Sequence, residues 1–184
     1  MIRFYSDFAQ ILLEHLQTSH KKIILYGMGD GAEKIMSLLE TVGLHPAAFM
    51  ASDDFVRGQT FRGFTVKTLA QIETEFGEII ILICFGTARP DVLSHIYEIA
   101  EKHEVYAPYV PVVGGGVFDR KFIDDNKDDI EKAYKLLADE RSKSVFESIL
   151  NYRLSGKIGF LTSSHSDRSE VFKLLSLGSD ETYV

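Results

Sequence analysis

The stretch Lys21-Lys22-Ile23-Ile24-Leu25-Tyr26-Gly27-Met28-Gly29-Asp30-Gly31-Ala32-Glu33-Lys34-Ile35 decides the fold. Two lysines lead into four apolar residues with no alternation, and the run ends in glycine. A strand that is apolar on both sides must be covered on both faces, which is the situation of a parallel sheet between helix layers. The glycine-rich turn then gives way to Ile35, Met36, Leu38, Leu39 and Val42 at helical spacing, closed by Gly43 in the usual C-terminal position. Strand, glycine turn and helix form one βα unit.

The same grammar extends outward. Phe4, Phe8, Ile11, Leu12 and Leu16 predict an amphipathic helix over 4–19. Pro46 to Ala51 reads as a second strand with Ser52-Asp53-Asp54 at its polar end, and Gly58 to Val66 as a short edge strand or hairpin. Thr68 caps a helix reaching Phe76, with Gly77 after it. Glu78 to Phe85 is the next buried strand, and Pro90 suits the first turn of a helix carrying Val92, Leu93, Ile96, Tyr97 and Ile99. Val105 to Ala107 is a last short strand. The order β-α-β-β-α-β-α-β calls for an α/β fold: a doubly wound, mostly parallel, Rossmann-like sheet with strand order 3-2-1-4-5, the strands at 23–26 and 79–85 being central. Residues 1–112 form this nucleotide- or nucleotide-sugar-binding-like domain, and 113–184 a C-terminal helical extension. In the extension, 119–154 is helical, 157–161 and 181–184 read as extended pieces, and a helix falls near 167–176.

The chain has 184 residues, 45% hydrophobic and 26% charged, with 20 Lys+Arg against 27 Asp+Glu. A chain of this length buries roughly 70% of its unfolded surface and needs no disulfide or metal staple. The acidic balance argues against sequence-independent nucleic-acid binding, which requires clustered positive charge. The longest apolar run, Ile79 to Phe85, is too short to span a bilayer. No secretory signal opens the chain at Met1-Ile2-Arg3-Phe4, so the expected compartment is the cytoplasm. The single cysteine, Cys84, sits inside the apolar run and reads as an inert core thiol.

Gly27-Met28-Gly29-Asp30-Gly31-Ala32 fits the pattern G-x-G-x-x-G/A through Gly27, Gly29 and Ala32. The first glycine permits the tight turn, the second lets backbone approach a phosphate, and the small third residue lets helix and strand pack closely. The helix start offers backbone N–H groups to an anion. Asp53 lies 26 positions beyond Gly27, further than the usual roughly 20 for an acidic residue facing a ribose. Asp30 adds negative charge where a pyrophosphate would sit. Three readings follow: nucleotide or nucleotide-sugar binding, a vestigial turn kept for packing, and NAD(P) redox chemistry. Ligands in such sheets sit outside the strand C-termini, which brings Gly86, Thr87 and Arg89 beside the turn. Arg89 then pairs with a phosphate; the alternative is that Thr87 caps the helix and Arg89 is solvated.

Other constellations fail on spacing. Gly156-Lys157 lacks the earlier glycine of a phosphate-binding Walker loop. Asp124-x-Asn126-x-Asp128 has Asp129 where a calcium loop needs glycine and Lys135 where it needs glutamate. Ser163-Ser164-His165-Ser166-Asp167 is a polar helix-capping loop, since working triads assemble from distant segments. The six histidines show no metal-ligand spacing.

Longer strings carry a resemblance. Ile24 to Ile35, Ser52-Asp53-Asp54-Phe55-Val56-Arg57-Gly58, Phe85-Gly86-Thr87-Ala88-Arg89-Pro90, Tyr106-Ala107-Pro108, Gly114-Gly115-Gly116-Val117-Phe118-Asp119 and Leu136 to Ser142 together resemble the N-terminal region of some bacterial FkbM-family methyltransferases. The resemblance implies an accessory or substrate-binding region, not catalytic alone, preceding an S-adenosylmethionine-dependent O-methyltransferase domain or organising a homo-oligomer for it. Such catalytic domains open with a loop Asp-x-Gly-x-x-x-Gly. Leu177 to Val184 is similar to the approach to the strand that precedes that loop, and the chain stops before the loop. The cofactor residues of that family therefore fall on no position here. The implied expectation is a chain without methyl-transfer activity or tight S-adenosylmethionine binding, its last residues loosely held or borrowed by a neighbour. The glycine-turn region also resembles the nucleotide-sugar-binding halves of some bacterial sugar acyltransferases, which implies a nucleotide-sugar or sugar-phosphate ligand. The alternative is an autonomous NAD(P)-dependent nucleotide-sugar enzyme.

Overall fold

The computed structural model describes residues 11–111, 116–165 and 175. The start of the 4–19 helix, the connection at 112–115 and the elements expected at 167–176 and 181–184 lie outside the described residues.

Helix α1 (Leu12–Thr18) precedes strand β1 (Lys22–Tyr26), and helix α2 (Asp30–Glu40) leads to β2 (Ala48–Met50). A hairpin of β3 (Thr60–Phe61) and β4 (Phe64–Thr65) follows, then α3 (Leu69–Phe76), β5 (Ile79–Ile83), α4 (Pro90–Ala100) and β6 (Glu104–Tyr106). Four helices complete the described chain: α5 (Arg120–Asp125), α6 (Lys127–Leu136), α7 (Glu140–Ser155) and α8 (Ile158–Ser164). The main sheet has the order β2-β1-β5-β6, every pairing parallel, with β1 and β5 in the centre. This is a Rossmann-like, doubly wound architecture, as the buried strand runs require.

The two-period of the strands divides the core. Ile23, Leu25, Phe49, Ile80 and Leu82 pack with Leu12 and Leu16 of α1 and with Ala32, Ile35 and Leu39 of α2. Ile24, Tyr26, Ala48, Met50, Ile79, Ile81 and Ile83 pack with Ile72 of α3 and with Ile96 and Ile99 of α4. Side chains that alternate across a strand can satisfy two helix layers only if both faces are apolar. A third, smaller cluster joins Ile11, Ile123 and Leu154, and so ties α5 and α7 to the start of α1.

Local signals set the boundaries. Thr68 and Gln71 form a reciprocal capping box at α3, and Gly77 ends that helix at φ +68°. Asp119 accepts from the Phe122 amide at 2.8 Å, and Asp139 from the Ser142 amide at 2.8 Å. The helical stretch expected over 119–154 breaks at Asn126 and again after Leu136.

Two expectations need correction. The order 3-2-1-4-5 loses its outermost strand, because of the two readings of 58–66, edge strand or hairpin, the chain takes the hairpin. Arg62 and Gly63 both take positive φ, as a tight two-residue hairpin turn requires, and β3 pairs only with β4. Phe61 and Phe64 then lean their rings on Phe49 at 5.1 and 5.3 Å. Lys67 joins the main sheet through its backbone, bridging Met50 through hydrogen bonds with Phe49 and Ala51. Residues 157–161 are not extended but open α8. Gly156 turns left-handed at φ +64°, and Ile158 packs on the α4 face of the core.

At the N-terminal edge of the sheet, Glu104 gathers three donors. His15 Nε2 lies 2.6 Å from one carboxylate oxygen, Tyr106 Oη donates to the same oxygen at 3.1 Å, and Lys21 Nζ donates to the other at 2.8 Å. Partial burial pushes the Glu104 carboxyl up, but the bonds from Lys21, His15 and Tyr106 outweigh it and hold it at about 2, against an ordinary 4.5. The group fastens α1 to β6. A depressed carboxyl contributes stability that is complete above pH 4.5 and is lost as the pH falls toward 2. Glu104→Gln should cost about 1 kcal/mol at pH 7 and flatten the acid limb of stability in that window. Denaturant midpoints of both proteins between pH 7 and pH 2 check this; parallel curves would refute it.

Candidate functional site

The C-terminal ends of β1, β5 and β6 meet the start of α2, and the glycines show how. The Gly27 amide donates to the Met50 carbonyl at 2.9 Å, and the Cys84 amide to the Tyr26 carbonyl at 2.9 Å, so the turn is anchored on both sides. Gly27 sits at φ +116° beneath the Phe85 ring, where an added Cβ would lie 2.9 Å from Phe85 Cδ1. Gly29, at φ +134° and ψ −158°, is the residue before α2, and open space surrounds its Cβ position. That conformation is essentially confined to glycine. Gly31 is the tightest point: a Cβ there would stand 1.9 Å from the Cys84 carbonyl oxygen.

The close helix–strand contact that the motif assigns to Ala32 is therefore made one residue earlier, by Gly31. Ala32 is fully buried against the core. Met28 is exposed on the turn, with Gln59 Nε2 4.0 Å from its sulfur. Gln59 also donates to the Phe55 carbonyl at 2.6 Å and accepts from the Arg57 amide, which closes the loop after β2 beside the turn. Asp53 is exposed in the 3-10 turn Asp53–Phe55 of that loop. The hydroxyls of Tyr26 and Ser52 bond to each other and link the exits of β1 and β2.

On the β5 side, Thr87 Oγ1 accepts from the Arg89 amide at 3.2 Å. Arg89 makes a two-point contact with Asp91, Nε at 3.2 Å and Nη2 at 2.6 Å. Both residues are thus engaged within their own loop. The first turn of α2 is acidic, which works against an anion at its positive end, but each charge has a partner: Asp30 with Lys34 at 2.8 Å and Glu33 with Arg62 at 2.6 Å.

A cleft of about 240 Å³ opens here. Of the residues singled out in the sequence, it brings together Asp30, Gly31 and Gly86; Gly27, Met28, Gly29, Ala32, Asp53, Thr87 and Arg89 are not among its lining residues. It adds Lys34, Phe85, Tyr109 and, from α7, Tyr152. Tyr109 is deducible, since the exit of β6 must lie beside that of β5. Tyr152 carries no local signal, because it reaches the cleft only through the docking of α7. Arg153, the next residue, holds its guanidinium 4.6 Å over the Tyr109 ring and 5.4 Å over Phe118. Burial, then the neighbouring Tyr109, push the Tyr152 phenol up. Cys84, at the floor, is pushed up to about 12 by burial and donates to the Leu82 carbonyl, so it is a packing thiol and not a nucleophile at neutral pH.

Among the described residues no group of three or more His, Cys, Asp or Glu is placed to hold a metal, and no helix is long and apolar enough to cross a membrane. Fold and cleft define a Rossmann-like α/β protein with an opening at the C-terminal edge of its sheet. No family model, curated protein or solved structure matches the chain.

The two glycines should respond differently to a methyl group. Gly31→Ala drives a Cβ into backbone and should cost about 3 kcal/mol or more. Gly29→Ala meets no atom and should cost only the backbone strain, about 1–3 kcal/mol. Chemical denaturation ranks them; equal stability of the two variants would contradict the packing described.

Proposed function

We propose that this chain is a ligand-binding module, not catalytic alone, that takes a nucleotide, nucleotide sugar or sugar phosphate at the C-terminal edge of its sheet. The observation that carries the reading is the start of α2. No atom lies within 4 Å of the Cβ position of Gly29, while Gly31 holds the same helix turn against β5 at the mouth of the cleft. A phosphate at Gly29 faces backbone N–H groups and lies next to a cavity with room for one attached ring. The location that goes with this reading is the cytoplasm.

The resemblance to FkbM-family N-terminal regions gives the module its setting: it presents a substrate to, or assembles copies of, an S-adenosylmethionine-dependent O-methyltransferase. That cofactor supplies the methyl group in such domains. The glycine turn here lacks the Asp-x-Gly-x-x-x-Gly pattern and offers it no counterpart loop. An autonomous NAD(P)-dependent enzyme is the weaker reading. Hydride transfer needs a poised acid or base near the switch point, whereas the Tyr26 hydroxyl is tied to Ser52 and the Cys84 thiol is held protonated.

Thermal unfolding with added ligands tests the proposal. A nucleotide or nucleotide sugar at 100 times its dissociation constant should stabilise the protein by about 2.7 kcal/mol. S-adenosylmethionine and NAD(P) should leave it unchanged. Stabilisation by either cofactor, with none by nucleotides or their sugars, would overturn the reading.

A further inference from the structure

We propose that the cleft between α2, the β5 and β6 exits and α7 receives a single pyranose ring, with Tyr152 of the C-terminal helical region as its closing wall. The inference rests on the function proposed above and specifies which part of the ligand enters the protein.

Size comes first. At about 240 Å³ the cleft is smaller than the roughly 300–1,000 Å³ of pockets that enclose drug-sized ligands, so it suits one ring and not a dinucleotide. Its chemistry is two-sided. Phe85, Tyr109 and Tyr152 contribute aromatic surface and Ile83 and Pro108 aliphatic surface, while Asp30 and Lys34 sit together among the lining residues. A pyranose has this same division, with C–H groups on its ring faces and hydroxyls around its edge. The C–H faces pack on the aromatic rings, whose π faces are negative. The hydroxyls can donate to Asp30, which keeps acceptor capacity beyond its bond to Lys34, and exchange hydrogen bonds with the two phenols.

Charge and composition favour the sugar over the other parts of a sugar nucleotide in this space. One carboxylate and one ammonium give the lining no net charge, so a phosphate gains nothing inside it and belongs at Gly29. A nucleobase would stack on the same aromatic rings, but the lining holds neither Asn nor Gln and leaves only Asp30, Lys34 and the two phenols to pair with its fixed edge of donors and acceptors. The wall is also pre-organised. Arg153 stacks on Tyr109, and the last turn of α7 is closed by the Gly156 amide donating to the Tyr152 carbonyl at 2.7 Å. The Tyr109 ring and the backbone that carries Tyr152 are thereby in place before binding.

Calorimetry on the full chain decides the matter, with uridine and guanosine diphosphates as probes against their glucose and mannose conjugates. A conjugate should bind about tenfold tighter than its diphosphate alone. Tyr152→Ala should erase that advantage without weakening the diphosphate, and Tyr152→Phe should keep most of it. Asp30→Asn, at a side chain 80% exposed, leaves the packing intact and should also reduce the advantage. Equal binding of conjugate and diphosphate, or an advantage that survives both Tyr152→Ala and Asp30→Asn, overturns the sugar site while leaving the nucleotide reading in place. If no nucleotide binds, glucose 1-phosphate and methyl glucoside are titrated at millimolar concentration by ligand-observed NMR, and the function proposed above fails only if glucose 1-phosphate does not bind either. Binding lost in Tyr152→Ala supports the sugar site; no binding overturns it.

Discussion

The approach of α2 to the end of β5 sets the geometry of everything around it. At Gly31 the helix backbone comes so near the Cys84 carbonyl that even one methyl carbon would overlap it at 1.9 Å. A helix held at that distance drives Ala32, Ile35 and Leu39 into the strands, where they meet Leu25, Ile80 and Leu82. It also fixes the height of the helix start relative to the strand ends. Gly29 consequently stands clear at the rim, and the cleft forms between α2 and the exits of β5 and β6. Packing and site are two consequences of one missing side chain.

The sheet can tolerate this tight layer because its strands are apolar on both sides. β5 is buried at all five positions, and its alternate residues serve α2 on one face and α3 with α4 on the other. A central strand with a polar face would have no second helix layer to hold. The β2 edge is shielded by the Lys67 bridge and the aromatic contacts of the hairpin, which keeps a short parallel edge from offering its backbone to another chain. Beyond β6, the Ala107 amide donates to the Gly156 carbonyl, so the turn between α7 and α8 takes up the next backbone donor along the strand.

What was legible in the sequence follows from which signals are local. The buried runs at 23–26 and 79–85, the glycine turn, the Thr68 cap and Pro90 at a helix start are each written within a few residues, and the 2-1-4-5 part of the expected five-strand order 3-2-1-4-5 follows from them. The hairpin at 60–65 was ambiguous because glycine-punctuated strands can pair outward or with themselves; the two positive φ values at Arg62 and Gly63 chose the second. The helicity of α8 depends on the left-handed turn at Gly156 and on Ile158 finding the α4 face, and neither is visible in the residues of 157–161. The glycine motif located the right turn but shifted the packing role by one residue. Consensus spacing does not reveal which of two adjacent small residues faces a carbonyl.

The cleft's far wall shows why a site can be partly invisible even when its fold is plain. Tyr152 and Arg153 lie on α7, more than forty residues after Tyr109 in the chain. What brings them to Tyr109 is Gly156, which meets three demands at once. It takes φ +64° to end α7, it donates to Tyr152 to close the last turn, and its carbonyl receives the Ala107 amide at 2.8 Å. A side chain there would also crowd Leu12 of α1 at 3.1 Å. The residue that terminates the helix is therefore the one that docks it, and docking fixes the tyrosine one turn back at the cleft and the arginine behind Tyr109. The helical region and the sheet edge cannot separate without removing a wall of the cleft. Occupancy of the cleft is thereby coupled to how firmly α7 is held, a dependence that no motif within either segment records.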